Sequence, residues 1–243
     1  MGSTSKTSIK MSPVPFRIVA LHPKALLLEW EQEPSDHLLE KLLGFKQLLQ
    51  DQDEISRCTM GYRALMLHLS EDFTSLSSLK ELLYDGYENL ETTEFPPAVH
   101  WKIPVCYEET HAPDLASLAQ ILNKTPDEVI QIHATASYRV CFIGFLPGFL
   151  YLNGLSQELF LPRKEKPLLK VPKGAVAIGG RQTGIYPDDS PGGWHLIGQT
   201  PLSFFDPKKS PPCFAKAGDW ISFYPISSKE YFKIKEQMIS GKF

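Results

Sequence analysis

The sequence predicts an α+β protein of two domains: a small amino-terminal ββαββα domain over residues 1–97 and a β-barrel domain over residues 98–243. Three observations support this prediction. Strand-like segments alternate with two amphipathic helical segments in the first hundred residues. A polar, proline-bearing stretch at 91–97 then interrupts that pattern. Beyond residue 138, short apolar segments alternate with Gly/Pro turn clusters, which is typical of a closed barrel.

The amino-terminal elements follow from the spacing of apolar residues. Short apolar runs predict four strands, at 16–21, 25–30, 54–60 and 63–69. Leucines at 38, 39, 42, 43, 48 and 49 form one stripe and predict a helix over about 36–50. Leu79, Leu82 and Leu83 predict a second helix over about 78–90. Helices in this order cover one face of the sheet that the strands form.

The second domain opens with a strand and two short helices. Residues 101–107 are strand-like, and helices are expected at 114–122 and at 126 to about 134. Thr125, Pro126 and Glu128 mark the start of the second helix, because Thr and Glu at this spacing form a capping box and Pro fits the first helical position. Four further apolar runs predict strands, at 139–145, 175–178, 194–197 and 220–224.

Composition limits the classes of partner. The chain has 243 residues, a formal net charge of −3 and a pI near 6.2, so no field attracts nucleic acid or an anionic membrane. Its four cysteines are far apart and are expected as buried free thiols, which suits a reducing compartment. The sequence shows neither a signal peptide in Met1–Lys6 nor a run of about 20 apolar residues. We therefore expect a soluble, cytoplasmic protein.

Residues 171–207 are unusually rich in glycine, proline and polar side chains. No packing pattern requires this composition. Glycines at such positions either take positive φ or let another group approach the main chain closely. The segment therefore predicts a rigid, polar, concave surface.

Polar side chains within this segment are candidate substrate contacts. Gln182, Thr183 and Tyr186 follow Gly180 in GGRQTGIY, where they are expected to project from a tight loop. A small polar substrate such as a lactam needs a few placed donors and acceptors on a mainly apolar wall. The alternative is simple turn chemistry, in which these groups bond the neighbouring backbone.

His133 is the candidate acid or base. It lies at the end of the second short helix, and an imidazole titrates near neutral pH. The alternative is a favourable position near the carboxy-terminal helix dipole.

Trp194 follows Ser190-Pro-Gly-Gly and is a candidate pocket wall; the alternative is a tryptophan of the barrel core. Ser190 lacks the Gly-x-Ser-x-Gly spacing of a nucleophile elbow, so a serine hydrolase is not predicted.

One basic neighbourhood, at 160–181, includes Arg163. It is expected as a solvated loop, or as a carboxylate or phosphate contact if it borders the pocket. The chain has no P-loop, and its acidic residues predict no metal site. Without a self-sufficient catalytic set, the site is expected to be completed by another polypeptide.

Two motifs carry a family resemblance: GFLPGFLYLNGL at 144–155, and GGRQTGIYP at 179–187 followed by SPGGW at 190–194. With them the chain resembles the kinase-A-inhibitor (KipI)/allophanate hydrolase subunit 1 family from about residue 62 to about residue 225. Leu168 and Gln199 stand where the family motif often has arginine, so anion contacts of those arginines are not carried over.

The resemblance implies a cyclophilin-like barrel and a role as the B-type subunit of an ATP-dependent 5-oxoprolinase, which opens 5-oxo-L-proline to L-glutamate. It implies a KipA-like partner, which is the C-type subunit of such an enzyme, a LamB/YcsF-type (A-type) subunit, and ATP bound by the complex. It tilts His133 towards a catalytic role. Two alternatives remain: a non-catalytic inhibitor of a sensor histidine kinase, and a carboxyltransferase-like component of a urea- or allophanate-metabolising enzyme.

Overall fold

The computed structural model describes residues 14–72, 76–90 and 97–239. The amino-terminal residues Met1–Lys6 and most of the predicted linker at 91–97 lie outside these ranges, so the domain boundary stays a prediction. Within the described ranges, no helix combines the length and apolar character of a membrane span.

The amino-terminal elements have the predicted ββαββα order. They are β1 (Phe16–His22), β2 (Ala25–Trp30), α1 (Asp36–Gln50), β3 (Ile55–Met60), β4 (Ala64–Leu69) and α2 (Leu76–Glu88). The strands form one antiparallel sheet in the order β1-β2-β4-β3. Ser35 caps α1 by accepting a hydrogen bond from the Leu38 amide at 3.2 Å. Buried apolar side chains of the sheet and both helices form one core.

The remaining elements build a barrel with helices around it. They are β5 (His100–Cys106), α3 (Leu115–Ile121), α4 (Pro126–Thr135), β6 (Ser137–Ile143), β7 (Leu150–Asn153), β8 (Leu168–Val171), β9 (Ala175–Gly179), β10 (Gln182–Ile185), β11 (Ser190–Gly192), β12 (His195–Gln199), β13 (Trp220–Ile226) and α5 (Ser228–Ile239). Seven strands close in the order β10-β7-β6-β13-β5-β12-β9, while β8 and β11 pair separately. The closed barrel confirms the predicted α+β fold class.

Strand alternation gives the barrel two apolar layers. On β9, Val176 and Ile178 belong to the interior core, whereas Ala175 and Ala177 belong to a smaller cluster on the outer face. On β10, Ile185 belongs to the interior core, and Tyr186 just beyond the strand belongs to the outer cluster. The small side chains on the outer face leave room for large aromatic rings, and this outer layer holds the candidate site.

Several barrel elements were not predicted, and one prediction was wrong. Strands β7, β8, β10 and β11 and helix α5 are absent from the sequence-based expectation. Residues 182–185 were expected in a tight loop, but they form strand β10 between β7 and β9. The strand is only four residues long and contains Gly184, so it carries too few apolar positions to show a period-2 pattern.

Both polar and apolar groups connect the amino-terminal layer to the barrel. The Tyr62 hydroxyl donates to Asn153 Oδ1 at 3.3 Å, and Arg181 Nη1 lies 3.1 Å from Glu33 Oε2. Apolar contact is provided by Phe142 and Ala217, which lie in the barrel part of the chain and pack against the amino-terminal core.

Candidate functional site

An aromatic pocket lies on the outer face of the barrel. Its volume is about 310 Å³. We call it the aromatic pocket and define it by its lining residues: Phe145, Phe149, Tyr151, Arg163, Pro167, Tyr186, Pro191, Gly192, Gly193 and Trp194. The walls come from β7, from the residues just beyond β10, and from the β8 and β11 region.

Four aromatic rings form its floor. The Phe149 ring lies edge-on to Tyr186, at 4.9 Å between centroids, and to Trp194, at 5.6 Å. Tyr151 meets Trp194 in the same way at 5.8 Å. Edge-to-face pairs of this kind contribute about 0.5–1.5 kcal/mol each beyond the area they bury. The floor is therefore a rigid apolar surface with two phenol groups.

Glycines allow these rings to lie directly on the strands. A Cβ atom at Gly179 would lie 2.5 Å from Cδ1 of Trp194, and one at Gly184 would lie 3.0 Å from Cζ3 of the same ring. Of the seven glycines in residues 171–207, only Gly174 and Gly180 have positive φ, at 81° and 66°. Close approach rather than unusual φ therefore explains most of this glycine-rich segment.

Phe145 stands at the edge of the pocket in an uncommon backbone conformation. Its φ is 65°, and its side chain is 61% exposed while its ring lies edge-on to Phe149 at 5.6 Å. A bulky residue in the left-handed region costs free energy, and such residues cluster at functional sites. An exposed aromatic side chain held this way is available to a ligand or a partner.

Arg163 is the cationic member of the lining. Its guanidinium lies 5.6 Å from the centroid of the Trp194 ring. Burial raises the pKa of Tyr151 and of Tyr186, and the charge of Arg163 lowers both by a smaller amount. Both phenols therefore stay protonated at neutral pH and can donate hydrogen bonds.

Two of the predicted site residues, Tyr186 and Trp194, meet in this pocket. They are 2% and 4% exposed respectively, so each is both a packed side chain and a pocket wall. The cluster that contains Trp194 lies on the outer face of the barrel, so Trp194 is packed beside the pocket and is not a residue of the interior core.

His133 and Thr183 lie together elsewhere, in the barrel interior. Thr183 Oγ1 donates its proton to the Ala177 carbonyl at 3.0 Å, so it must accept from His133 Nε2, also at 3.0 Å. His133 Nδ1 therefore accepts from the Tyr107 hydroxyl at 2.8 Å. Both ring nitrogens are occupied by interior partners.

Burial lowers the pKa of His133 to about 3, so the imidazole is neutral at physiological pH. A neutral ring gains nothing from the charge of a helix dipole, which removes the basis of that interpretation. With no exposed surface and both nitrogens in use, His133 fits an internal structural role; its catalytic assignment stays a prediction.

Gly180 and Gln182 lie at the β9–β10 hairpin, outside the pocket lining. Gly180 makes paired backbone hydrogen bonds with Leu161, at 2.7 and 3.2 Å. Positive φ at Gly180 suits a two-residue hairpin turn. Gln182 Nε2 is buried and has no hydrogen-bond partner among the described residues. Buried polar groups are normally paired, so Gln182 Nε2 is a hydrogen-bond donor left without an acceptor.

Phe145, Phe149 and Tyr151 were missed as site residues. Phe149 and Tyr151 alternate with Leu150 and Leu152, and this period-2 pattern was available in the sequence. Their position in the pocket depends on the pairing of β7 with β10, which brings them beside Tyr186.

The sequence of the chain is similar to a known protein family and to several proteins of known name. Residues 16–215 match the family model of the carboxyltransferase domain, subdomain C and D. The chain is 38% identical to the B-type subunit of 5-oxoprolinase from Bacillus subtilis (strain 168) over 210 residues, which are 85% of this chain and 83% of that protein. It is 36% identical to a urea amidolyase of Lachancea kluyveri over 90 residues, which are 35% of this chain and 5% of that protein.

The fold of the chain is also similar to that of a solved structure. The crystal structure of TTHA0988 superimposes with a TM-score of 0.71 at 30% sequence identity and covers 84% of this chain. The chain spans 40% of that protein's length.

Proposed function

This chain belongs to the carboxyltransferase domain, subdomain C and D family, and from that premise we propose that it is the B-type subunit of a heteromeric, ATP-dependent 5-oxoprolinase. In this role it would take part in the ring opening of 5-oxo-L-proline to L-glutamate. The similarity to the Bacillus subtilis B-type subunit over most of both chains carries the proposal.

The aromatic pocket suits a small lactam. Its volume of about 310 Å³ lies at the lower end of the usual range for ligand sites, which suits a single small ring. The faces of a five-membered ring can lie against the aromatic floor. Protonated hydroxyls of Tyr151 and Tyr186 can donate to the lactam carbonyl, whose oxygen gains negative charge when the amide is attacked.

The pocket lacks the groups needed for the whole reaction. Among the described residues of its lining there is no serine, cysteine, histidine or carboxylate that could act as nucleophile or base. We therefore assign those groups, and the binding of ATP, to the complex that this chain forms with a KipA-like (C-type) protein and a LamB/YcsF-type (A-type) protein. The isolated chain is expected to be inactive.

The test is reconstitution. The chain is produced alone and together with its KipA-like and LamB/YcsF-type partners, and ATP hydrolysis that depends on 5-oxoproline is measured. We expect turnover only in the complex. Substrate-dependent phosphate release by the isolated chain at the rate of the complex would contradict the assignment of catalysis and ATP binding to the complex. An assembled complex without 5-oxoproline turnover would contradict the proposal that 5-oxoproline is the substrate.

Variants in the complex test the site. Tyr186→Phe removes a donor from the pocket, and Gln182→Ala removes the unpaired buried amide. Loss of one hydrogen bond to developing charge can cost about 10²-fold in rate, whereas point changes of this size cost stability only about 1–2 kcal/mol. Near-normal turnover in both variants, or a loss of turnover explained by unfolding or failed assembly, would show that these two residues support the structure and do not contact the substrate.

A second function has a specific observation in its favour. The local similarity to a urea amidolyase favours a carboxyltransferase-like component acting on urea or allophanate. Urea and allophanate are therefore supplied to the same complex in parallel assays. Co-purification of a histidine kinase instead of the enzyme's other components would favour the inhibitor role.

A further inference from the structure

Arg163, the cation in the described lining of the aromatic pocket, differs from three other cations of the 160–181 region in having no acidic partner. Lys164 Nζ lies 2.7 Å from Asp114 Oδ2, Lys170 Nζ lies 2.9 Å from Asp189 Oδ2, and Arg181 Nη1 lies 3.1 Å from Glu33 Oε2. Arg163 makes no ion pair with any residue in the described part of the chain. Its guanidinium instead lies over the Trp194 ring.

The pocket leaves this charge uncompensated. Its lining, as far as the structure describes it, contains no aspartate or glutamate. Leu168, which stands where related motifs often have arginine, packs its apolar side chain against the outer aromatic cluster. Arg163 is therefore the single cation in the described lining of the pocket, next to a wall of buried rings.

An arginine in this setting is prepared to bind an anion. A cation–π contact with an aromatic ring favours a guanidinium at that place and leaves its N–H groups free to donate. The planar fork of donors matches a carboxylate in bidentate geometry. The charge of Arg163 lowers the pKa of Tyr151 and Tyr186, but burial raises both by more, so the hydroxyls remain protonated. They add neutral hydrogen-bond donors to the pocket.

We propose that Arg163 anchors the carboxylate of a small ring-shaped carboxylic acid in the aromatic pocket. The proposal rests on the proposed function: in 5-oxoproline the carboxylate would pair with Arg163, and the lactam ring would lie on the aromatic floor of the pocket. Arg163 would then decide which lactams are accepted, because a lactam without a carboxylate leaves the guanidinium unpaired.

A pocket lined by a single cation, Arg163, is better suited to bind a singly charged group than a nucleotide phosphate. Polyphosphates are usually held by a lysine or arginine together with several backbone N–H groups or a metal ion. Here Lys164, the next cation along the chain, is already paired with Asp114, and both side chains are only 18% exposed. The charge of the pocket therefore matches one carboxylate.

The test measures binding and turnover with three ligands: 5-oxoproline, 2-pyrrolidinone, which has the lactam ring without the carboxylate, and cyclopentanecarboxylate, which has the carboxylate without the lactam. Binding is followed by ligand-observed NMR, on the isolated chain and on the assembled complex. Arg163→Gln removes the charge and keeps a side chain of similar length. Lys170→Gln, which removes an exposed cation outside the pocket, is the matched control.

We expect wild type and Lys170→Gln to bind both carboxylates more tightly than 2-pyrrolidinone. Arg163→Gln should weaken both carboxylates by about 10- to 100-fold, the range for hydrogen bonds to charged groups, and leave 2-pyrrolidinone unchanged. In the complex, the KM for 5-oxoproline should rise by a similar factor while kcat changes little, since the lost interaction is made before and during the reaction.

The outcomes separate this inference from the proposed function. Binding of cyclopentanecarboxylate that depends on Arg163, without turnover of 5-oxoproline, would support the anchor and reject the 5-oxoprolinase role. Normal 5-oxoproline turnover and an unchanged KM in Arg163→Gln would reject the anchor and keep that role. Carboxylate binding that is equal in wild type and Arg163→Gln, or absent from both the chain and the complex, would overturn the anchor.

Discussion

His133 shows how strongly its surroundings determine what a titratable residue can do. Its ring is stacked on Phe223 at 4.7 Å between centroids, and its two nitrogens bond Tyr107 and Thr183. Desolvation in this environment penalises the charged form, so the proton that makes histidine useful in catalysis is absent at neutral pH. The same residue type on a surface would titrate in the physiological range.

The buried neutral state of His133 predicts a pH dependence of stability. The folded-state pKa is about 3 and the ordinary value is 6.5, so between them the unfolded state binds more protons. The contribution of His133 to the free energy of unfolding should fall by about 1.4 kcal/mol per pH unit as the pH drops through this window, and it should not change with pH above it. Urea unfolding at several pH values measures it.

His133→Gln removes the titrating group, so its stability should lack that component, although the variant is less stable at pH 7. His37→Gln, an exposed change on α1, should keep the wild-type slope. An identical slope in wild type and His133→Gln would show that His133 does not titrate as a buried group.

At the scale of elements, β9 and β10 each have one face in the barrel interior and the other against the outer aromatic cluster. Their inward side chains fill the barrel, and their outward positions carry small residues on which Trp194 lies. Glycine in a strand normally weakens it. Here Gly179 is required because a Cβ would lie 2.5 Å from the indole ring. Gly184 is required because a Cβ would lie 2.8 Å from the Leu150 carbonyl oxygen and 3.0 Å from that ring.

Gly179→Ala should therefore destabilise the outer aromatic layer. Its Cβ would lie 2.5 Å from Cδ1 of Trp194, and an indole is too rigid to give way. Overpacking of this kind costs about 1–3 kcal/mol. We expect a lower free energy of unfolding and a changed near-ultraviolet circular dichroism signal.

Gly193→Ala is the matched control in the same segment, because its Cβ would have 3.7 Å to the Lys164 carbonyl oxygen. It should stay within about 0.5 kcal/mol of wild type. If Gly179→Ala and Gly193→Ala behave alike, the tryptophan does not lie on Gly179 in solution.

At the scale of the whole molecule, the chain has one apolar core in its amino-terminal layer and another inside the barrel. The amino-terminal core draws its buried residues from positions 16–83 and the barrel interior from 103–223. Separate cores of this size are the physical basis for independent folding units.

A fragment of residues 98–243 should therefore fold alone. We expect dispersed amide resonances, with stability below that of the full chain because Phe142 and Ala217 lose the apolar surface they pack against. The fragment of residues 14–90 is measured beside it. A collapsed amide spectrum for the barrel fragment would show that the two cores depend on each other.

The sequence alone determined the elements whose signals are local. The order and bounds of β1 to α2 were predictable because helical stripes and apolar runs repeat within a few residues. The start of α4 was predictable from Thr125 and Glu128, whose reciprocal hydrogen bonds form a capping box. Apolar runs likewise identified β6, β9, β12 and β13 within a few residues.

Only the tertiary structure decided which residues meet in the candidate site. Phe149 and Tyr151 lie more than 30 positions before Tyr186 and Trp194, and they come together because β7 pairs with β10 and β10 with β9. Strand pairing is a long-range choice that a local pattern does not encode. Likewise, glycine in a sequence permits both positive φ and close approach, and only the folded position of the Trp194 ring determines which of these Gly179 provides.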